Sequence, residues 1–253
     1  MSDKKFIIAN WKMQLAVAES SNLAMELKNV LSKSKLDKDK TVIVCPDFLS
    51  FTEVAKIFKG SNVALGAQDG FYEEAGAYTG EISLAELKAS GCQYVILGHS
   101  ERRKLGETDE VVNKKVKAAL ASNLIPIICV GETFNERKEG QTDLVLMNQI
   151  HQALKDVKIK ANDQFIIAYE PVWVIGTGQA IGPKEAWQAT AVIEQSLLDI
   201  FEGGHEASFS IIYGGSVNPS NIHDFSSISS IKGVLVGGAS LDAKNFIELI
   251  KNI

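Results

Sequence analysis

The stretch FIIAYE, Phe165 to Glu170, runs directly into PVWVIGTG, Pro171 to Gly178. The first half is apolar without interruption and has the length of one strand. An unbroken apolar strand is one buried on both faces, which implies a parallel sheet covered by helices. Pro171 ends the strand, because it lacks an N–H for the ladder and fixes its own φ. The same grammar recurs along the chain. Short β-branched runs stand at Phe6–Ala9, Thr41–Cys45, Asn62–Leu65, Tyr94–Leu97, Ile125–Val130, Phe165–Tyr169, Ser210–Tyr213 and Gly233–Val236. Between them lie helical patterns. From Asp109 to Leu120, Val112, Val116 and Leu120 recur every fourth residue; from Pro183 to Leu198, Ala186, Ala189, Ile193 and Leu197 share a face. Gly182 followed by Pro183 marks the start of the second helix. Eight strand–helix units in 253 residues fit a closed (β/α)8 barrel, with an open doubly wound sheet as the alternative that counting leaves standing. With no low-complexity linker, residues 1–253 read as one α/β domain.

Composition narrows the function classes. With 45% hydrophobic residues the chain can bury a large core. A net charge of −5 argues against a nucleic-acid or anionic-membrane binder, which needs a basic face. Cys45, Cys92 and Cys129 form no C-x-x-C spacing and read as buried thiols in a reducing compartment. No apolar run is long enough for a bilayer, and MSDKKFIIAN is too weakly apolar for a signal peptide, so a cytoplasmic protein is expected.

In a barrel, the carboxyl ends of the strands and the loops after them form the active face. Asn10, Trp11 and Lys12 follow the first strand; Gly98, His99, Ser100 and Glu101 the fourth; Cys129, Gly131 and Glu132 close the fifth; Glu170 ends the sixth. Singly, each has a plain explanation. A strand-end lysine is usually a surface charge, a lone histidine a satisfied structural group, a free cysteine core packing. Convergence changes the reading. A barrel would bring Lys12, His99 and Glu170 to one mouth as cation, polarising group and base. Val172, Trp173, Val174 and Ile175 make a bulky apolar tip, and Gly176 and Gly178 flank Thr177 with conformational freedom. Such a loop can close over a ligand and exclude water. A carboxylate beneath it loses hydration and becomes a stronger base. The plain alternative is an ordinary strand-to-helix loop with a solvated Glu170. YGGSV, Tyr213 to Val217, and VGGASL, Val236 to Leu241, follow the last two strands, where glycines let backbone N–H groups approach a phosphate.

NWK (Asn10–Lys12), GAYTGE (Gly76–Glu81), GHSERR (Gly98–Arg103), CVGE (Cys129–Glu132), YEPVWVIGTG (Tyr169–Gly178), YGGSV and GVLVGGASL (Gly233–Leu241) together make the chain resemble the triosephosphate isomerase family along its whole length. The resemblance implies a TIM barrel and a cofactor-independent, metal-free interconversion of dihydroxyacetone phosphate and glyceraldehyde 3-phosphate. It implies Glu170 as the base, His99 as a neutral imidazole that polarises the carbonyl, Lys12 as the cation that stabilises the enediolate, and Asn10 as the amide that orients substrate oxygens. Glu101 resembles a carboxylate supporting Lys12, and Cys129 a supporting residue. Gly176, Ser216, Gly237 and Gly238 resemble the backbone donors for the phosphate. The family's partner is a second copy of the chain, with Thr79 near the partner's Asn10 and Lys12.

The connection from about Gly66 to Ile82 is far longer than a usual βα loop and carries Phe71, Tyr72 and Tyr78. Three aromatics on one long loop suggest an interface; folding back onto its own barrel is the alternative. Gln14 stands where the family commonly has asparagine, and Val174 where alanine is frequent; both are expected to lie clear of the chemistry. Another barrel enzyme, such as a metal-dependent epimerase or a Schiff-base aldolase, would need a His/carboxylate cluster or a strand lysine. Of the four histidines, at 99, 151, 205 and 223, only His99 is expected at the mouth. A non-catalytic phosphometabolite binder would not need base, electrophile and cation together.

Overall fold

All eight apolar runs are strands in the computed structural model, which describes residues 4–33, 37, 39–160, 163–176, 179–201 and 208–253. They are β1 (Lys5–Asn10), β2 (Lys40–Cys45), β3 (Val63–Ala67), β4 (Tyr94–Leu97), β5 (Ile125–Val130), β6 (Gln164–Tyr169), β7 (Ser208–Tyr213) and β8 (Ile231–Val236). Each pairs in parallel with the next, and β1 pairs with β8 from Phe6↔Gly233 to Ala9↔Val236. That last pairing closes the barrel and eliminates the open sheet.

The helices are α1 (Val17–Lys33), α2 (Phe48–Phe58), α3 (Leu84–Ala89), α4 (Ser100–Lys104), α5 (Asp109–Ala121), α6 (Phe134–Lys138), α7 (Thr142–Leu154), α8 (Pro183–Ile200), α9 (Ile222–Ser226) and α10 (Ala243–Asn252). Strand residues alternate between two cores. Phe6, Ile8, Ile43, Ile96, Ile127, Ile166 and Leu235 fill the barrel interior. Ile7, Val42, Val95, Ile128 and Ile167 face outward onto the helices. This double burial is why the strands read as unbroken apolar runs. In α8 all four periodic residues are buried, and the helix begins where the Gly182–Pro183 pair placed it. The Glu185 carboxylate accepts the Gly182 N–H at 3.1 Å, satisfying one orphan donor of the first turn. In α5, Val112 and Val116 are buried as the spacing required, but Leu120 is only half-buried and Ala119 takes the core position.

The long connection after β3 covers residues 68–83, starting two residues later than its sequence suggested because β3 runs on to Ala67. Its base folds onto itself: Phe71 donates its N–H to Ile82 O at 2.8 Å, and Ser83 Oγ to Glu74 O at 2.8 Å. Phe71 packs in tilted contact with Tyr72 and Tyr78, at 4.3 and 4.8 Å between ring centroids. The tip is different. Residues 73–80, Thr79 included, are exposed, and Tyr78 keeps 42% of its surface in water.

Candidate active site

The carboxyl ends of the strands surround a cavity of about 350 Å³. Asn10, Lys12, His99, Glu170, Gly176, Ser216, Gly237 and Gly238 all line it, so every candidate for catalysis and phosphate binding meets at one mouth. A larger hollow of about 610 Å³ lies at the opposite end of β3, among Lys56, Lys59, Gly60, Ser61 and Gln93. Size therefore does not select the site; convergent polar groups do.

Glu170 directly follows β6 and is 2% exposed. Its N–H binds Val130 O at 2.8 Å, tying it to the end of β5. One carboxylate oxygen accepts the Ser100 N–H at 3.0 Å, and the other lies 3.1 Å from His99 Nε2. Two glycines make room for it. A Cβ on Gly131 would stand 1.7 Å from Glu170 O, and one on Gly214 would stand 2.8 Å from Glu170 Cγ. The glycines Gly131 and Gly214 therefore leave room for the Glu170 backbone and side chain, a role that backbone flexibility alone does not suggest.

His99 caps α4. Its Nδ1 accepts the Glu101 N–H at 3.2 Å, which places the ring proton on Nε2, facing the cavity. The helix that presents it is anchored by charge. Buried Lys115 lies 2.7 Å from both Asp69 and Glu107, and Arg102 lies 3.1 Å from Asp69. Removing one member of such a cluster strands the others in low dielectric. Arg103 reaches Gly98 O at 2.8 Å, Cys129 O at 3.3 Å and Asp109 at 2.5 Å, joining the ends of β4 and β5.

Lys12 has a φ of +53°, a left-handed conformation that costs a side-chain-bearing residue energy. Neighbours hold it there. Its N–H binds Asn10 Oδ1 at 3.1 Å, and Gln68 Nε2 binds its carbonyl at 2.8 Å. The ammonium lies 2.7 Å from Glu101 Oε1. Burial alone would push the Glu101 carboxyl up, but the Lys12 hydrogen bond and charge, helped by His99 and Lys104, together hold the group below its ordinary value. Glu101 thus touches both Lys12 and the His99 ring.

Cys129 lies within β5 and packs inside the barrel, below the cavity. Burial first, and the Glu170 carboxylate second, push its thiol well up, so it stays protonated. Cys45 and Cys92 are likewise buried and free. Thr79 lies on the exposed loop tip and does not line the cavity. Gly237 opens the short 3₁₀ turn Gly238–Ser240, so the last Gly-Gly pair does sit at a helical N-terminus.

The lid begins with the 3₁₀ turn Val172–Val174; Gly176 has φ +76°, while Thr177 and Gly178 fall outside the described residues. Both departures from the family pattern lie nearer the chemistry than expected. Gln14 lines the cavity itself. Val174 is 1% exposed, and its carbonyl accepts the Ser216 hydroxyl at 3.0 Å. The Ser216 Oγ–H is thereby engaged by the segment after β6. Asn218 also lines the cavity, and Glu132 and Arg137 carry contacts that the sequence does not reveal; Glu132 stands among the strand-end residues and in CVGE, but nothing local marks Arg137.

Among the described residues, no group of three or more His, Cys, Asp or Glu side chains is arranged to hold a metal ion. Among the same residues, no helix is long and apolar enough to cross a membrane.

The family model for triosephosphate isomerase matches residues 5–253. The chain is 45% identical to a triosephosphate isomerase of Endomicrobium trichonymphae over 249 residues, covering 98% of each protein. It is 42% identical to one from Dictyoglomus thermophilum over 250 residues, covering 98% of this chain and 99% of that one. The crystal structure of triosephosphate isomerase from Bartonella henselae superposes with a TM-score of 0.87 at 35% identity, covering 98% of both chains. A match over nearly the whole length, joined to a closed barrel with these side chains at its mouth, makes the conclusion plain: the chain belongs to the triosephosphate isomerase family.

Proposed function

We propose that the chain carries out its family's reaction, the interconversion of dihydroxyacetone phosphate and glyceraldehyde 3-phosphate, with Glu170 as the base. The observation that carries this assignment is the pairing of a buried carboxylate with a histidine whose Nε2 faces the same cavity. A proton on a carbon beside a carbonyl is weakly acidic until charge on the oxygen is stabilised. Glu170 takes that proton and becomes a carboxylic acid. His99 Nε2–H donates to the carbonyl oxygen as the enediolate forms, and Lys12 balances the negative charge. Asn10, which also holds Lys12, orients the oxygens. His99 then recovers a proton from the neighbouring oxygen, and Glu170 returns its proton to the adjacent carbon, so no proton is gained or lost overall. Before this can happen, Glu170 must exchange its contacts with Ser100 and His99 for the substrate.

The phosphate is held by backbone N–H groups of Gly176, Ser216, Gly237 and Gly238. The segment from Pro171 to Gly176 acts as a lid. It keeps water and elimination-prone geometries away from the enediolate, which otherwise expels phosphate. Glu101 steadies Lys12 and His99, and Cys129 fills the floor. The working form is a homodimer in the cytoplasm, with Thr79 on the exposed loop reaching the second copy. The exposed aromatic at Tyr78 and the buried free cysteines support these two statements.

A coupled assay tests the reaction directly. The purified protein should convert glyceraldehyde 3-phosphate at the same rate with and without a chelator. No conversion would overturn the assignment, and loss of rate with the chelator would overturn the metal-free mechanism.

A further inference from the structure

Arg137, on α6, touches both the start of the lid segment and the first turn of α8, the helix that follows it. Its guanidinium carbon lies 4.3 Å from the centroid of the Trp173 ring, at the near end. One edge of the group forms a close ion pair with Glu185 Oε1, on the first turn of α8 beyond the far end. The other Glu185 oxygen accepts the Gly182 N–H at 3.1 Å, so the contact passes to the backbone that caps α8. A second edge faces Glu132 Oε1 at 3.9 Å. Buried Glu132 accepts the Trp173 indole N–H at 2.9 Å and the Tyr169 hydroxyl at 3.2 Å, and its backbone carbonyl accepts the Val172 N–H at 3.1 Å.

A guanidinium suits this position because one planar group stacks by its face, donates along one edge to Glu185 and presents its charge to Glu132 along another. An ammonium cannot do all three. The pair with Glu185 is partly exposed, 30% and 41%, so it adds little to global stability. Its consequence lies in what it joins.

We propose that Arg137 is a positioning residue for the isomerisation, coupling the start of the lid to the fixed first turn of α8 so that the closed lid seals over the enediolate. This rests on the lid function proposed above. Arg137 touches no reacting atom; it acts through Trp173 and Glu185.

The test compares wild type, Arg137→Ala, Glu185→Gln and the double variant for kcat, KM and inorganic phosphate released per isomerisation. Glutamine at 185 can still cap Gly182 but loses the ion pair. Each single variant should raise the phosphate ratio roughly 3- to 30-fold, the range typical of substitutions that alter coupling from outside a site. The melting temperature should stay near that of wild type. The double variant should be no worse than the worse single one, because both break the same link. Arg137→Lys should fall between alanine and wild type, since it keeps the charge and loses the stacking.

A wild-type ratio in folded Arg137→Ala, or fully multiplicative effects in the double variant, would overturn the coupling. If Arg137→Ala does not fold, Glu185→Gln decides alone: a raised ratio supports the coupling and an unchanged one overturns it. A chain lacking Val174 to Gly176 separates this idea from the lid itself. If that deletion raises the ratio and Arg137→Ala does not, only the coupling fails. If neither changes it, the lid function fails and the coupling with it.

Discussion

Lys12, Glu101 and His99 form a chain of contacts in which each residue conditions the next. Lys12 is strained at φ +53° and held in place by Asn10 and Gln68, while its ammonium pairs with Glu101. The pairing has a definite pH signature. Burial raises the Glu101 carboxyl, but the Lys12 hydrogen bond and charge, with the neighbouring His99 and Lys104, together lower it further, and the group lies below its ordinary value of 4.5. A depressed carboxyl contributes stability above the unfolded value, and that contribution is lost as pH falls through the folded one. Because Glu101 is half exposed, solvent screens the contribution and it is small. Carbon NMR of the Glu101 carboxyl should show a midpoint below 4.5. Lys12→Met should move that midpoint upward, because the lowering partner is gone and burial remains. An unmoved midpoint would show that Lys12 is not the cause. The residues of this triad were legible in the sequence as types at strand ends. Their contacts were not, since Lys12 and Glu101 meet across the barrel mouth and no local pattern records it. Arg137 and Glu185 were invisible for the same reason.

The element that most needs its surroundings is the lid. Its apolar tip was legible, but its anchoring was not. Val174 packs inward and accepts the Ser216 hydroxyl, so a residue expected to lie clear of the chemistry ties the lid to the YGGSV loop after β7. Deleting Val174 to Gly176 should lower isomerisation and raise the share of substrate lost as inorganic phosphate, because water reaches the enediolate. An unchanged product ratio would leave the lid with a role in binding alone. The strands were easy to read because burial on both faces leaves unbroken apolar runs, and their bounds were met at β4 and β5. Short helices such as α4, α6 and α9 were not readable as amphipathic elements. A five-residue helix contains too few turns to show a period. Yet α4 and α6 carry His99 and Arg137, so the site depends on the elements that periodicity detects least.

At the scale of the whole molecule, closure was the hidden step. The pairing of β1 with β8 joins the two ends of the chain and leaves no local trace, so counting strands could not separate a barrel from an open sheet. Resemblance decided what periodicity left open. The loop after β3 raises the other question of scale. Phe71, Tyr72 and Tyr78 pack in tilted contact, while residues 73–80 stand in water and Tyr78 among them keeps 42% of its surface exposed. Sedimentation equilibrium should give about twice the 27.5 kDa chain mass, and Thr79→Arg should weaken association by placing a charge at the contact. A fully active species at the single-chain mass would contradict the dimer. The central claim is that this assembly moves a carbon-bound proton through Glu170. Glu170→Gln keeps nearly the same volume and can still accept the Ser100 N–H, but it cannot take a proton. Measured as kcat on folded protein, the variant should lose about 10²–10⁴-fold or more, with KM changing far less. A Glu170→Gln enzyme that keeps most of its kcat would contradict the account.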